Sequence, residues 1–121
     1  MGRMLILLCE SPFQYESVEN AITIAETALS KGHKVDISLM MDGVYNPLTS
    51  QSGVPFNMES ISDRFKRLIE LGANVTACRV CAELRGVTEE MIPEGMEIGG
   101  IFDFSESVME ADIVLSFTGA A

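Results

Sequence analysis

Basic residues are scarce in this chain: eight Lys and Arg stand against eighteen Asp and Glu in 121 residues, a formal charge of −10. Nucleic-acid binding needs a basic surface to neutralise phosphates, so that class of partner is excluded. An anionic membrane surface is excluded on the same ground. The excess acid reads as a solvated surface. Long apolar runs are missing too. The opening run, Met4 to Cys9, is closed by Glu10 and is too short for the apolar region of an export signal. No segment approaches the ~20 apolar residues of a membrane span. A cytoplasmic protein is therefore expected, with its three cysteines reduced. Such cysteines point to catalytic, redox or metal roles rather than to structural disulfides.

Two further shortages narrow the chemistry. There is one histidine, His33, in a turn entering a strand. Cys78-x-x-Cys81 as half of a zinc site needs two more ligands. Cys9 supplies one at most, and His33 falls on the opposite edge of the expected sheet, so no metal is expected. The loop Ser11 to Gln14 precedes a helix and could receive an anion on backbone N–H groups. It lacks the glycines of a P-loop or dinucleotide fingerprint, and no cofactor is expected. As a thioredoxin-type pair, Cys78 and Cys81 lack the X-Pro before a matching downstream strand.

What the chain does have is alternation of apolar runs with helical patterns. Met4–Cys9, Val35–Met41, Ala73–Ala77, Ile98–Ile101 and Ile113–Phe117 read as five strands. Helices are expected over Glu16–Ser30, from Met58 or Ser60 to Leu71, over Cys78–Arg85 and over Ser105–Glu110. Gly32 and Gly72 stop the first two. Thr88-Glu89-Glu90 reads as a short capped turn and Asp42–Asn57 as a long loop, of the length that is usually functional. The pattern predicts one domain, residues 1–121, with a three-layer α/β/α fold around a mostly parallel five-stranded sheet. With 47% hydrophobic residues and no Trp, such a sheet is covered on both faces, and further apolar surface is expected against another subunit. Ligands in this fold class bind beyond the carboxyl ends of the strands, where Cys9, Asp42 and Cys78 all fall.

The densest chemistry lies between Val75 and Val87. Cys78 ends a buried strand at a helix start, where unpaired N–H groups and the helix dipole favour a thiolate. Arg79 follows it. Arg85 is two turns along the same face, either contributing charge or merely solvated. Cys81, one turn on, is either a small core hydrophobe or a second working thiol. Cys9 reads most simply as a core residue at a strand end.

Asp42-Gly43-Val44-Tyr45-Asn46 after an apolar strand, a long Ser/Pro loop, a helix, then Cys78 eight residues before Gly86-Val87: this pattern resembles the DsrE/DsrF/DsrH family, its DsrE and TusD branch. Ser11-Pro12-Phe13 before an Ala-rich helix fits as well, so the likeness covers nearly the whole chain. It implies a small cytosolic α/β protein that forms homo-oligomers, trimers or hexamers. It further implies a sulfur carrier or transferase holding a persulfide on Cys78 and exchanging it with donor and acceptor proteins. Cys78, Arg79 and Cys81 are then the reactive set. Ser11, Phe13, Gln14, Asp42, Tyr45 and Asn46 are the expected pocket walls. Cys81 departs from the relay pattern, which needs only one thiol there, and it could resolve the persulfide through a Cys78–Cys81 disulfide. The rival expectation is an oligomeric module that binds a small molecule or anion without sulfur chemistry.

Overall fold

A computed structural model describes residues 1–119. Five strands, β1 (Arg3–Leu8), β2 (Lys34–Leu39), β3 (Asn74–Cys78), β4 (Glu97–Gly99) and β5 (Ile113–Phe117), form one sheet in the order β4-β3-β2-β1-β5. Every pairing is parallel. Four helices, α1 (Glu16–Ser30), α2 (Ile61–Glu70), α3 (Arg79–Leu84) and α4 (Ile101–Glu110), connect them. The first three crossovers step one way along the sheet, and the fourth returns across it to place β5 beside β1. Right-handed crossovers therefore put α4 on the face opposite α1 and α2. This is the expected three-layer α/β/α arrangement.

The two faces differ in chemistry because side chains alternate along each strand. On the α1/α2 side lie Ile6, Leu8, Val35, Ile37, Leu39, Val75 and Ala77, all at most 2% exposed. Against them α1 turns Val18, Ile22 and Ala25, and α2 turns Ile61, Phe65 and Leu68. On the α4 side the strands carry Asp36, Ser38, Asn74 and Thr76. Asp36 is buried, and its carboxylate accepts hydrogen bonds from the Arg3 guanidinium (2.8 and 3.1 Å) and from Asn74 Nδ2 (3.0 Å). A buried charge is tolerated only with such company.

Local signals explain most boundaries. Helix α1 matches its expected span, and Gly32 beyond it takes φ +84°, open to glycine without the Cβ penalty. Ser60 is the N-cap of α2, accepting from the Asp63 N–H at 3.1 Å. Two stretches differ from expectation by more than one residue. The second strand ends at Leu39 rather than Met41, because Met41 turns into the left-handed region (φ +52°) and opens a 3-10 helix, Met41–Tyr45. The apolar run marks what is buried and not where the backbone turns. The fourth strand, expected to reach Ile101, stops at Gly99; α4 begins at Ile101 instead of Ser105. The Asp103 carboxylate accepts the Gly100 N–H (3.0 Å) and so starts the helix four residues early. The expected long loop holds the 3-10 helices Met41–Tyr45 and Val54–Phe56.

Candidate functional site

Cys78 ends β3 opposite Gly99 of β4 and serves as the N-cap residue of α3. It shares the sheet face of Asn74 and Thr76, four and two residues earlier, so it faces the α4 side. The half-buried thiol lines a cavity of about 30 Å³ with Ser38, Thr76, Gly99, Asp103 and Ser107. That is room for about one water-sized group. Its walls carry three hydroxyls and one carboxylate. Cys78 makes no side-chain capping bond, and α3 has only six residues.

Cys81 occupies the third position of α3, is 8% exposed, and sits against Cys78. The Met41 backbone N–H is directed at its sulfur and Arg85 lies near. Cys9, half-buried at the end of β1, neighbours Cys81 as well. The three thiols, 72 residues apart at the extremes of the sequence, thus gather at one sheet edge. All three are free. Among the described residues, no three His, Cys, Asp or Glu side chains converge on a position that could hold a metal ion.

Burial pushes the Cys81 thiol up, with the adjacent Cys78 adding to the rise; the Met41 N–H and Arg85 oppose it by favouring the thiolate. Burial also raises Cys9, and Cys81 and Glu10 act the same way. A thiol whose folded value exceeds its unfolded value adds stability that is complete below the unfolded value and is lost as pH rises through the folded one. Stability contributed by Cys9 and Cys81 therefore declines from about pH 8.5 upward. In a Cys78→Ser protein, alkylation of these two thiols by iodoacetamide is expected to show midpoints above those of the urea-unfolded chain. Coincident native and unfolded pH profiles would contradict this.

The remaining sequence-nominated residues divide. Arg85 is part of the cluster: its Nε donates to Asp42 Oδ1 (2.9 Å) and its Nη1 to the Cys81 carbonyl (3.2 Å). The Asp42 carboxylate holds that guanidinium firmly protonated. Arg79 is exposed and donates to the Ile98 carbonyl (2.7 Å), with Glu83 4.0 Å away, so it braces β4. Tyr45 is half-buried against the core. Asn46 is fully buried, and its Nδ2 donates to the Glu10 and Gly43 carbonyls (2.8 and 2.9 Å), tying the 3-10 helix to the chain leaving β1. Ser11 donates to Gln14 Oε1 (3.0 Å). Phe13 and Gln14 line a separate groove of about 540 Å³ with Tyr15, Val18, Met58 and Ile61. Asp42, Tyr45 and Asn46 do not line that groove, although Asn46 ties its loop to Glu10 beside Ser11. His33 lies at the far edge, where Nδ1 accepts the Gly2 N–H (3.0 Å).

Sequence reasoning missed the cavity walls Ser38 and Thr76, and Met41. A signal for the first two was present: polar residues at 36, 38, 74 and 76 keep the two-residue period that ends at Cys78, and so mark one face.

A DsrE/DsrF-like family model matches residues 2–117. The chain belongs to the DsrE/DsrF-like family. It is 33% identical to an uncharacterized protein of Methanocaldococcus jannaschii over 95% of this chain and 99% of that one. It is 26% identical to the DsrE protein of Allochromatium vinosum, named as a proposed sulfurtransferase, over 89% of this chain and 92% of that one. The crystal structure of Escherichia coli YchN is similar to it with a TM-score of 0.82, at 26% identity, covering 97% of this chain and all of YchN. A protein of unknown function from Methanobacterium thermoautotrophicum shares the fold at 15% identity, with a TM-score of 0.76.

Proposed function

We propose that this DsrE-like protein carries sulfane sulfur as a persulfide on Cys78, taking it from one protein and passing it to another. The observation that carries the reading is the half-buried Cys78 thiol opening into a cavity sized for about one added atom, walled by the hydroxyls of Ser38, Thr76 and Ser107. A thiolate at Cys78 attacks the outer sulfur of a donor persulfide; the S–S bond of the donor breaks and the donor leaves as its thiolate. The small cavity shelters the new terminal sulfur from bulk solvent, and a hydroxyl donating to it stabilises the anion. Arg85, pinned by Asp42, adds positive charge on the Cys81 side of the cluster. The reaction belongs in a reducing, cytoplasmic compartment, where the three thiols stay free; no helix among the described residues is long and apolar enough to cross a membrane.

Self-association into trimers or hexamers is part of this proposal. Helix α4 has no buried residue, and Phe102 and Met109 on it are each 86% exposed. On the same face of the sheet Val114 stands exposed on the edge strand β5. An apolar face of this kind on a chain this small is suited to another copy.

The test is the intact mass of the reduced protein after exposure to inorganic polysulfide, for wild type and for Cys78→Ser, Cys81→Ser and Cys9→Ser. A gain of about one sulfur atom in Cys81→Ser, transient at most where Cys81 is present and absent at all times in Cys78→Ser, is the expected result. Equal loading of Cys78→Ser and Cys81→Ser would remove the carrier reading. The groove lined by Phe13, Tyr15 and Met58 favours a second reading, a small-molecule binding module without sulfur chemistry. That reading gains if no variant takes up sulfur.

A further inference from the structure

We propose that Cys81 is an internal resolving thiol: it attacks Cys78 Sγ once Cys78 carries a leaving sulfur, closes a Cys78–Cys81 disulfide and expels that sulfur. For a persulfide this rests on the carrier reading above, and it makes the bound sulfur short-lived unless an acceptor removes it first.

The geometry argues for this pair and no other. Cys78 is the N-cap of α3 and Cys81 its third residue. In this relation an N-cap side chain lies over the third residue of its helix. Small rotations about χ1 close such a pair to a disulfide, whose Cβ atoms lie about 3.5–4.5 Å apart. The two side chains already adjoin one another. Cys81 is 8% exposed, so a protein-sized donor or acceptor does not reach it. Cys78 faces the cavity and is half-buried. One thiol therefore meets partners and the other meets chiefly its neighbour. Attack needs a thiolate at Cys81, which burial disfavours; the Met41 N–H and Arg85 offset part of that cost. Arg85 is held beside Cys81 by Asp42 and by the Cys81 carbonyl itself.

The step balances. Cys81 loses its proton and its sulfur forms a bond to Cys78 Sγ. The bond from Cys78 Sγ to the outer sulfur breaks, and that sulfur leaves with the electron pair as hydrosulfide, taking up a proton. The two cysteine sulfurs are oxidised together and the outer sulfur is reduced. Return to the dithiol state requires a dithiol reductant, through a mixed disulfide.

The experiment uses the full chain in a Cys9→Ser background, with Cys81 intact or as Cys81→Ser. The reduced proteins are loaded with inorganic polysulfide without oxygen, freed of excess, and followed by intact mass and sulfide release. With Cys81 present, the added sulfur is expected to leave as about one equivalent of sulfide, with loss of two hydrogens and a Cys78–Cys81 disulfide on peptide mapping. With Cys81→Ser the persulfide is expected to persist at least about tenfold longer. Equal sulfide release from the two proteins overturns the proposal. A second arm removes the dependence on persulfide chemistry. Ellman's reagent at one equivalent puts thionitrobenzoate on Cys78, and Cys81 is expected to expel it, leaving the disulfide and no adduct. An adduct that survives with Cys81 as long as without it also overturns the proposal. If the adduct is expelled but no sulfur loads from polysulfide, Cys81 stands as the resolving thiol and the carrier reading falls alone.

Discussion

Gly43→Ala is expected to destabilise the protein by about 3 kcal/mol or more and to open the thiol cluster. A Cβ at Gly43 would land on the Leu8 carbonyl oxygen, 2.9 Å from the carbonyl carbon and 3.3 Å from the Cys9 Cα. All three are backbone atoms of β1 and its exit, hydrogen-bonded on both sides, so no side-chain rotation relieves the clash. Overpacking in cores costs about 1–3 kcal/mol and sometimes more, and here the obstacle is rigid. The chain that has to move is the 3-10 helix Met41–Tyr45. It supplies the N–H aimed at Cys81 and the carboxylate that holds Arg85. Its displacement also strains the Asn46 bonds to Glu10 and Gly43. Urea unfolding should therefore show a lower midpoint, and Cys81 in the folded protein should alkylate faster than in the parent. A midpoint and a labelling rate both equal to the parent's would mean that the loop does not sit on β1 as described.

Phe65→Ala is expected to cost about 3–5 kcal/mol, a large part of the roughly 5–15 kcal/mol that holds a domain of this kind together. Phe65 is fully buried at the middle of the inward stripe of α2, flanked by Ile61 and Leu68. The outward side of the same helix offers little in exchange. Its ion pairs, Arg64 with Glu26 (2.9 Å) and Arg67 with Glu59 (2.6 Å), are partly or wholly solvated, and such pairs contribute about 0–1 kcal/mol each. The helix stays in place because of its apolar face. Removing the ring leaves a void against the sheet that only partial collapse can fill. Chemical denaturation should show the loss as a lower midpoint with an unchanged slope. A change below about 1 kcal/mol would mean that α2 packs elsewhere.

Phe65 was legible as core from the sequence alone, because Ile61, Phe65, Leu68 and Ile69 recur at the helical period and Ser60 caps the element. Gly43 was legible only as part of a family pattern. Its reason, the approach of one backbone to another across 35 residues of sequence, exists only in the folded chain.

The same division runs through the site. Periodicity and cap residues determined the element order, the parallel α/β class, α1 to the residue, and the delivery of Cys78 from strand to helix start. These depend on neighbours a few residues apart, and local sequence holds that information. Strand order, the early start of α4, the joining of Cys9 to Cys81, and the separation of Phe13 and Gln14 from the cysteine cavity were decided by tertiary structure. Each depends on which surfaces meet when the apolar faces are buried, and burial carries no sequence register of its own. Cys81 marks the boundary between the two. Its spacing from Cys78 is read directly from the sequence, whereas its burial and its nearness to Met41, Arg85 and Cys9 exist only in the folded chain.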